Sequence, residues 1–171
     1  MRARDEIPDH AKFFNAPQLA RQTRNPEGLK KILAEYFRVP VEIDEFVSHW
    51  IALPSTEQTR LAKRGGHCRL GEDAVIGERV LDAQHKIQVR LGPMPLARYL
   101  TFLPGAANAK QVASWIRNYV GLEFLVGMQL VLRKEDAAPA QLGGTTQLGW
   151  TSWLGARDTE RDADELVIDC C

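Results

Sequence analysis

Net charge is the first thing this chain lacks. Its 22 Lys and Arg are balanced by 22 Asp and Glu, and the pI lies near 6.9. A chain with no surplus of either sign has no wholesale attraction for nucleic acid or for an anionic membrane. It also lacks the self-repulsion that keeps free proteins apart, which favours life in a complex. Long apolar runs are missing too. The longest, Val120 to Leu132, is broken by Glu123, Gly127 and Gln129, and none approaches the ~20 residues of a bilayer span. The first residues mix Arg2, Arg4, Asp5, Glu6, Asp9 and Lys12 with few apolar side chains, so no signal-peptide core is expected. Cysteine is scarce: Cys68, Cys170 and Cys171. Adjacent cysteines bridge each other poorly, and an odd set reads as a chain of the reducing cytoplasm.

Motifs of catalysis and cofactor binding are also missing. His67–Cys68, Cys170–Cys171, His10, His49 and His85 show no C-x2-C or H-x3-H spacing, the paired spacing that zinc sites use. Gly65–Gly66, Gly92 and Gly143–Gly144 form neither phosphate-binding glycine pattern. Cys68 has a histidine next to it, but adjacency points the two side chains apart, and a reactive thiol needs a placed base or a helix N-terminus. Asp44–Glu45 and Glu72–Asp73 lie in polar stretches, where nothing raises a carboxyl pKa. No catalytic, cofactor-binding or metal-binding residue is expected.

What is present is a clear set of periodicities. Asn25, Pro26 and Glu27 have the chemistry of a helix start. Leu29, Ile32, Leu33, Tyr36 and Phe37 then repeat on one helical face until Pro40 stops them. Val39, Val41 and Ile43 alternate with Pro40 and Glu42 as a half-buried strand, continuing less regularly towards Trp50. Ile87, Val89 and Leu91 mark another strand, and Pro95 opens a short helix carrying Leu96, Tyr99, Leu100 and Leu103. A second long helix is expected after Asn108, with Val112, Ile116, Tyr119 and Val120 on its apolar face and Gly121 past its end. Leu122 to Leu132 alternates most cleanly of all and reads as a long strand. A charged run from Arg157 to Glu165 reads as a solvated loop, followed by a short strand at Leu166 to Ile168. The polar segment before Asn25 reads as an arm with a helical stretch at 17–23.

The two halves resemble each other. Leu70-Gly71 and Ile76-Gly77 match Leu142-Gly143 and Leu148-Gly149 in spacing, each pair set downstream of a helix that enters a strand. Internal repeats reset the reading of a fold. The expected class is α+β: two similar helix–strand–loop–strand units forming a pseudo-duplicated body, with a short helical N-terminal arm. The expected boundaries are 1–24 for the arm, 25–92 for the first unit, 93–107 for a connector with a short helix, and 108–171 for the second unit with its charged tail.

Four tryptophans remain. Trp115 and Trp50 sit in regular elements and read as core. Trp150, Trp153 and Leu154 lie in a Gly- and Thr-rich segment too irregular for a helix, and are the candidate partner-interface residues. That segment, Leu148-Gly149-Trp150-Thr151-Ser152-Trp153-Leu154-Gly155, resembles the TssG family, also called ImpH or VasB. The resemblance extends to Gln84-His85-Lys86-Ile87-Gln88-Val89-Arg90-Leu91-Gly92-Pro93, Phe102-Leu103-Pro104-Gly105, Tyr119-Val120-Gly121 and Glu27-Gly28-Leu29. It runs from about Ala16 to Gly155, and implies the C-terminal portion of a family whose members carry a further N-terminal region. It implies a non-enzymatic, cytoplasmic subunit of the type VI secretion baseplate wedge. Its implied partners are two copies of a TssF-like subunit and a trimeric TssK-like adaptor, with other baseplate or spike components as further candidates. No cofactor, nucleic acid or direct membrane insertion is implied. The alternatives are a binding module of another contractile or phage-tail-like assembly, or a small thiol enzyme around Cys68.

Overall fold

The computed structural model describes residues 5–59, 69, 71–72, 74–140, 146–155 and 160–170. Two short helices, α1 (Asp9–Phe14) and α2 (Ala16–Leu19), precede the long helix α3 (Pro26–Phe37). Strands β1 (Val41–Asp44), β2 (His49–Ala52), β3 (Arg79–Asp82) and β4 (Lys86–Met94) follow, then the one-turn helix α4 (Leu96–Tyr99) and a 3₁₀ turn at Leu100–Phe102. Helix α5 (Ala107–Val120) leads into β5 (Leu125–Leu132), and β6 (Ala163–Asp169) is the last element among the described residues. The class is α+β with a small helical N-terminal region, as the periodicities require.

The chain divides into two compact units, residues 1–45 with 87–171, and residues 46–86. This differs from the boundaries expected above. Segment 46–86 stands by itself, while β1 and β4 join β5 and β6 in one sheet and α3 packs with β1 and α5. The reason lies in β4, which pairs on both sides in the order β1-β4-β5-β6. β1 and β4 are antiparallel, with Val41 opposite Leu91, and β5 and β6 are antiparallel, with Met128 opposite Ile168. Between β4 and β5, the contacts Gln88–Gln129, Gly92–Val131 and Met94–Arg133 advance together, so these two strands run parallel. A parallel step needs a crossover, and α5 supplies it.

Helix α3 starts as its sequence dictates. The Asn25 side chain accepts a hydrogen bond from the Gly28 N–H at 2.9 Å, and Pro26 takes the first helical position. Leu29, Ile32, Leu33 and Phe37 are all buried, and Arg38 turns left-handed (φ 51°) to release the chain into β1. From α5, Val112, Trp115, Ile116 and Tyr119 face the same core. From the sheet, Val89, Leu91, Val126, Met128, Leu130 and Leu132 meet them. Each large aliphatic or aromatic side chain so buried contributes about 1.5–3 kcal/mol. Edge-to-face ring pairs, Tyr36–Trp115 at 5.4 Å and Phe37–Phe102 at 5.3 Å, add shape to the contact between α3 and its neighbours.

Two helix ends differ from expectation. Helix α5 begins at Ala107 rather than after Asn108, and the Asn108 amide donates to the Thr101 hydroxyl oxygen instead of capping. β5 begins at Leu125, and Leu122 lies exposed in the turn that Gly121 (φ 90°) opens. The N-terminal segment is better attached than an arm. Ile7 and Ala11 are buried, and Asp5 accepts from Asn118 at 2.9 Å and pairs with Lys12. Its helices are 9–14 and 16–19, not 17–23. β6 is longer than the expected 166–168 and takes Asp164 and Glu165 of the charged run into the sheet.

Two glycines hold the unit together. A Cβ on Gly28 would lie 2.2 Å from the Tyr119 hydroxyl, which donates to the Asn25 carbonyl at 3.0 Å and ties the end of α5 to the start of α3. A Cβ on Gly92 (φ 127°) would lie 2.3 Å from the Val131 carbonyl oxygen, so only glycine lets β4 and β5 approach there.

Candidate protein-interaction surface

Segment 147–154 is a small turn fastened at three points. The Gln147 N–H donates to the Thr151 hydroxyl oxygen at 2.8 Å, and the Thr151 N–H returns to the Gln147 carbonyl at 2.9 Å. Thr151 is thereby one of the few polar residues that are fully buried. The Tyr99 hydroxyl reaches out from α4 and donates to the Trp150 carbonyl at 3.1 Å. Burial, with the negative charge of Glu165 adding to it, pushes the Tyr99 phenol up to about 12, so it donates throughout the ordinary pH range. Trp153 packs against the core, donates from its indole N–H to Glu165 at 3.3 Å, and pairs by its backbone with Pro139–Ala140.

So fastened, the turn displays Leu148 at 95%, Leu154 at 104% and Trp150 at 37% exposure. The three expected interface residues thus take different positions. Leu154 and Trp150 face solvent, whereas Trp153 is half-buried and anchors the turn. Leu148, which periodicity did not single out, belongs with the displayed residues.

The second display is segment 46–86. β2 and β3 form a two-stranded antiparallel ribbon with Trp50 opposite Leu81 and Ile51 opposite Val80. Opposite residues share a face and successive ones alternate, so both faces of the ribbon are apolar. Trp50 is 64% exposed, and Phe46, Leu81 and Ile76 are exposed with it. Trp50 is therefore not the core residue expected from its place in a regular element; Trp115 is. The signal was in the sequence: Trp50-Ile51-Ala52 loses the alternation of a half-buried strand. That pattern fits a strand with like surroundings on both faces, and it does not say whether these are protein or water.

At the ribbon's end His49 and His85 converge on Asp82. His49 Nδ1 lies 3.6 Å and His85 Nδ1 3.1 Å from an Asp82 carboxylate oxygen. Desolvation acts to raise the Asp82 carboxyl, but hydrogen bonds from the His85 backbone and ring and the Gln84 backbone outweigh it and hold the carboxyl below its usual range. This arrangement closes the turn: the Asp82 side chain accepts from the His85 N–H at 3.0 Å. Among the described residues no group of three His, Cys, Asp or Glu is placed to hold a metal ion, and no helix is long and apolar enough to cross a membrane. Cys68, His67, Leu70, Leu142, Gly143 and Cys171 lie outside the described residues.

Fold and surface together define an α+β protein with two apolar display segments, one a fastened turn and one a ribbon. Contiguous exposed apolar side chains are where a binding surface is sought. The family is given by the sequence itself: the model of the family described as Type VI secretion, TssG matches residues 1–155, and the chain belongs to that family. None of the curated protein sequences compared with the chain matches it. Among solved structures, it is similar to a chain of a type VI secretion TssK-TssF-TssG baseplate subcomplex determined by cryo-electron microscopy. The identity is 19% and the TM-score 0.71, over 96% of this chain and 68% of that one. It is also similar to a chain of a type VI secretion baseplate complex, with 18% identity and a TM-score of 0.62, over 95% of this chain and 49% of that one.

Proposed function

We propose that this chain is a structural, non-enzymatic subunit of a type VI secretion baseplate, joining TssF-like and TssK-like subunits so that the contractile sheath can assemble. Membership of the TssG family carries the reading. The likeness to a chain of a baseplate subcomplex containing TssK, TssF and TssG supports the choice of partners. The displayed side chains supply the physical means. Trp50 and Leu81 on the ribbon, and Leu148, Trp150 and Leu154 on the turn, are large apolar groups of the kind that carry interface energy. Two TssF-like copies and a trimeric TssK-like adaptor are the proposed stoichiometry, and the place of action is the cytoplasmic side of a membrane-docked baseplate. The balanced charge supports protein partners over nucleic acid.

The duplicated body is a separate and finer reading. In its support, a helix, a strand and an antiparallel second strand follow one another twice, as α3-β1-β4 and α5-β5-β6. Against it, the parallel pairing of β4 with β5 gives the two successions opposite hands. The proposed role does not depend on it.

The test is co-expression of the full chain with TssF-like and TssK-like subunits, followed by size-exclusion chromatography with mass determination. A stable complex is expected. Trp50→Asp and Leu154→Asp should each weaken it while leaving the circular dichroism of the chain unchanged. A monodisperse chain that ignores both partners would refute the role.

A further inference from the structure

Where α3 begins and α5 ends, the wall of the core is open. Ile43 on β1, Ile87 on β4 and Val120 on α5 pack against the core and stay only half-buried. With Leu29 and Phe124 they line an apolar pocket of about 100 Å³, a size for one aliphatic side chain. Beside it, along α2 and α3, runs a groove of about 420 Å³ with the opposite character. Asn25 lines both. Arg21, Lys30 and Lys31 line the groove against a single carboxylate, Glu27, and Glu35 lines neither cavity. Arg24 adds a fourth cation from the pocket side. Its guanidinium lies 5.1 Å from the centre of the Tyr119 ring and donates to the Leu19 carbonyl at 2.7 Å. These contacts fix its geometry and leave its charge uncancelled. Among the described residues none of the four cations is ion-paired with a carboxylate. In a chain of zero net charge, this is a local positive excess.

We propose that this surface takes a short acidic segment of a partner protein, with one leucine-sized side chain in the pocket and its Asp or Glu side chains along the groove. Each half selects its own part of the occupant. Filling the pocket removes from water the apolar surface that Ile43, Ile87 and Val120 leave half-buried. The cations attract carboxylates, and an arginine already held in place loses little freedom on pairing. Glu45 lines the pocket and not the groove, so the acidic residues belong on the groove side of the anchor. Nucleic acid fits badly. Gln18, Gly28 and Ala34 lie between the cations of the groove, which has no aromatic side chain for a base to stack on. The surface shares no residue with the ribbon or the display turn, and the inference does not depend on the role proposed above.

The test uses the full chain and two labelled eight-residue peptides, with three glutamates before or after a single leucine. Binding is read by fluorescence anisotropy, and the site by the methyl NMR signals of Ile43 and Ile87. One of the two orders is expected to bind, more weakly as salt rises, and to shift both isoleucine signals. Alanine in place of its leucine should lower affinity about ten-fold. Arg21→Glu, an exposed change outside any helix, should lower it about ten-fold, and Lys31→Gln about three-fold. Lys110→Glu, exposed on α5 and outside both cavities, should leave it unchanged. Equal binding of a peptide with lysines for glutamates would overturn the proposal. So would isoleucine signals that stay in place, an effect of Lys110→Glu as large as that of Arg21→Glu, or no binding at millimolar peptide. Tighter binding of oligothymidylate or of phosphatidylglycerol vesicles would overturn it in favour of nucleic acid or a lipid surface. Isoleucine shifts that follow protein concentration alone would overturn it in favour of a second copy.

Discussion

A methyl group at residue 92 has nowhere to go, because the atom it meets is the backbone oxygen of Val131 on a neighbouring strand. Gly92→Ala also strains a φ of 127°. The expected cost is about 2–4 kcal/mol, read as a lower midpoint in urea unfolding. At the other end of the unit, Tyr119→Phe removes the hydroxyl that donates to Asn25 and should cost about 1 kcal/mol by the same measurement. Tyr99 makes a pH prediction. Its phenol is pushed up to about 12 in the fold and titrates near 10 once unfolded. The folded form therefore holds its proton more tightly, and the stability this provides is complete below pH 10 and lost as pH rises from about 10 to 12. Tyrosinate absorbance followed with pH should show Tyr99 titrating last, after Tyr36, whose phenol burial also raises, and Tyr99→Phe should remove that last step.

Among the elements, the 147–154 turn separates anchoring from display. Trp153→Ala removes a half-buried indole and its bond to Glu165, so it should lower stability by about 2–4 kcal/mol. Leu154→Asp changes a fully exposed side chain and should shift stability by no more than about 0.5 kcal/mol. If the thermal midpoints of these two variants fall together, the turn is not built as the structure has it. Sequence placed α3 almost to the residue because Asn25, Pro26 and the apolar stripe act locally. It placed the start of α5 and of β5 less well, since Asn108 prefers Thr101 and Leu122 continues an alternation into a turn. Neither choice is visible without the neighbour that decides it.

For the whole molecule, the prediction concerns segment 46–86. Asp44 at the end of β1 lies opposite Gln88 on β4, so a short hairpin turn can replace everything between them. The shortened chain should keep the far-ultraviolet circular dichroism and cooperative unfolding of the α3–α5 unit, and should lose affinity for the proposed TssK-like and TssF-like partners. An isolated two-stranded ribbon is marginally stable in water, so in the intact chain β2 and β3 amides should exchange faster than those of β5. A chain that fails to fold without the segment would show that the division into two units is wrong.

The sequence by itself determined the α+β class, the apolar faces of α3, α5 and β5, and the strings that mark the TssG family. These follow from local periodicity and from side-chain chemistry that a few neighbouring residues express. It did not determine that β4 pairs with both β1 and β5, that Trp50 faces solvent while Trp153 anchors, or that Gly28 and Tyr119 meet across 91 positions of chain. Those were decided by which surfaces meet. A half-buried strand fixes the face it hides but not its partner, and an apolar side chain has the same sequence signature beneath a helix as it has on an exposed ribbon.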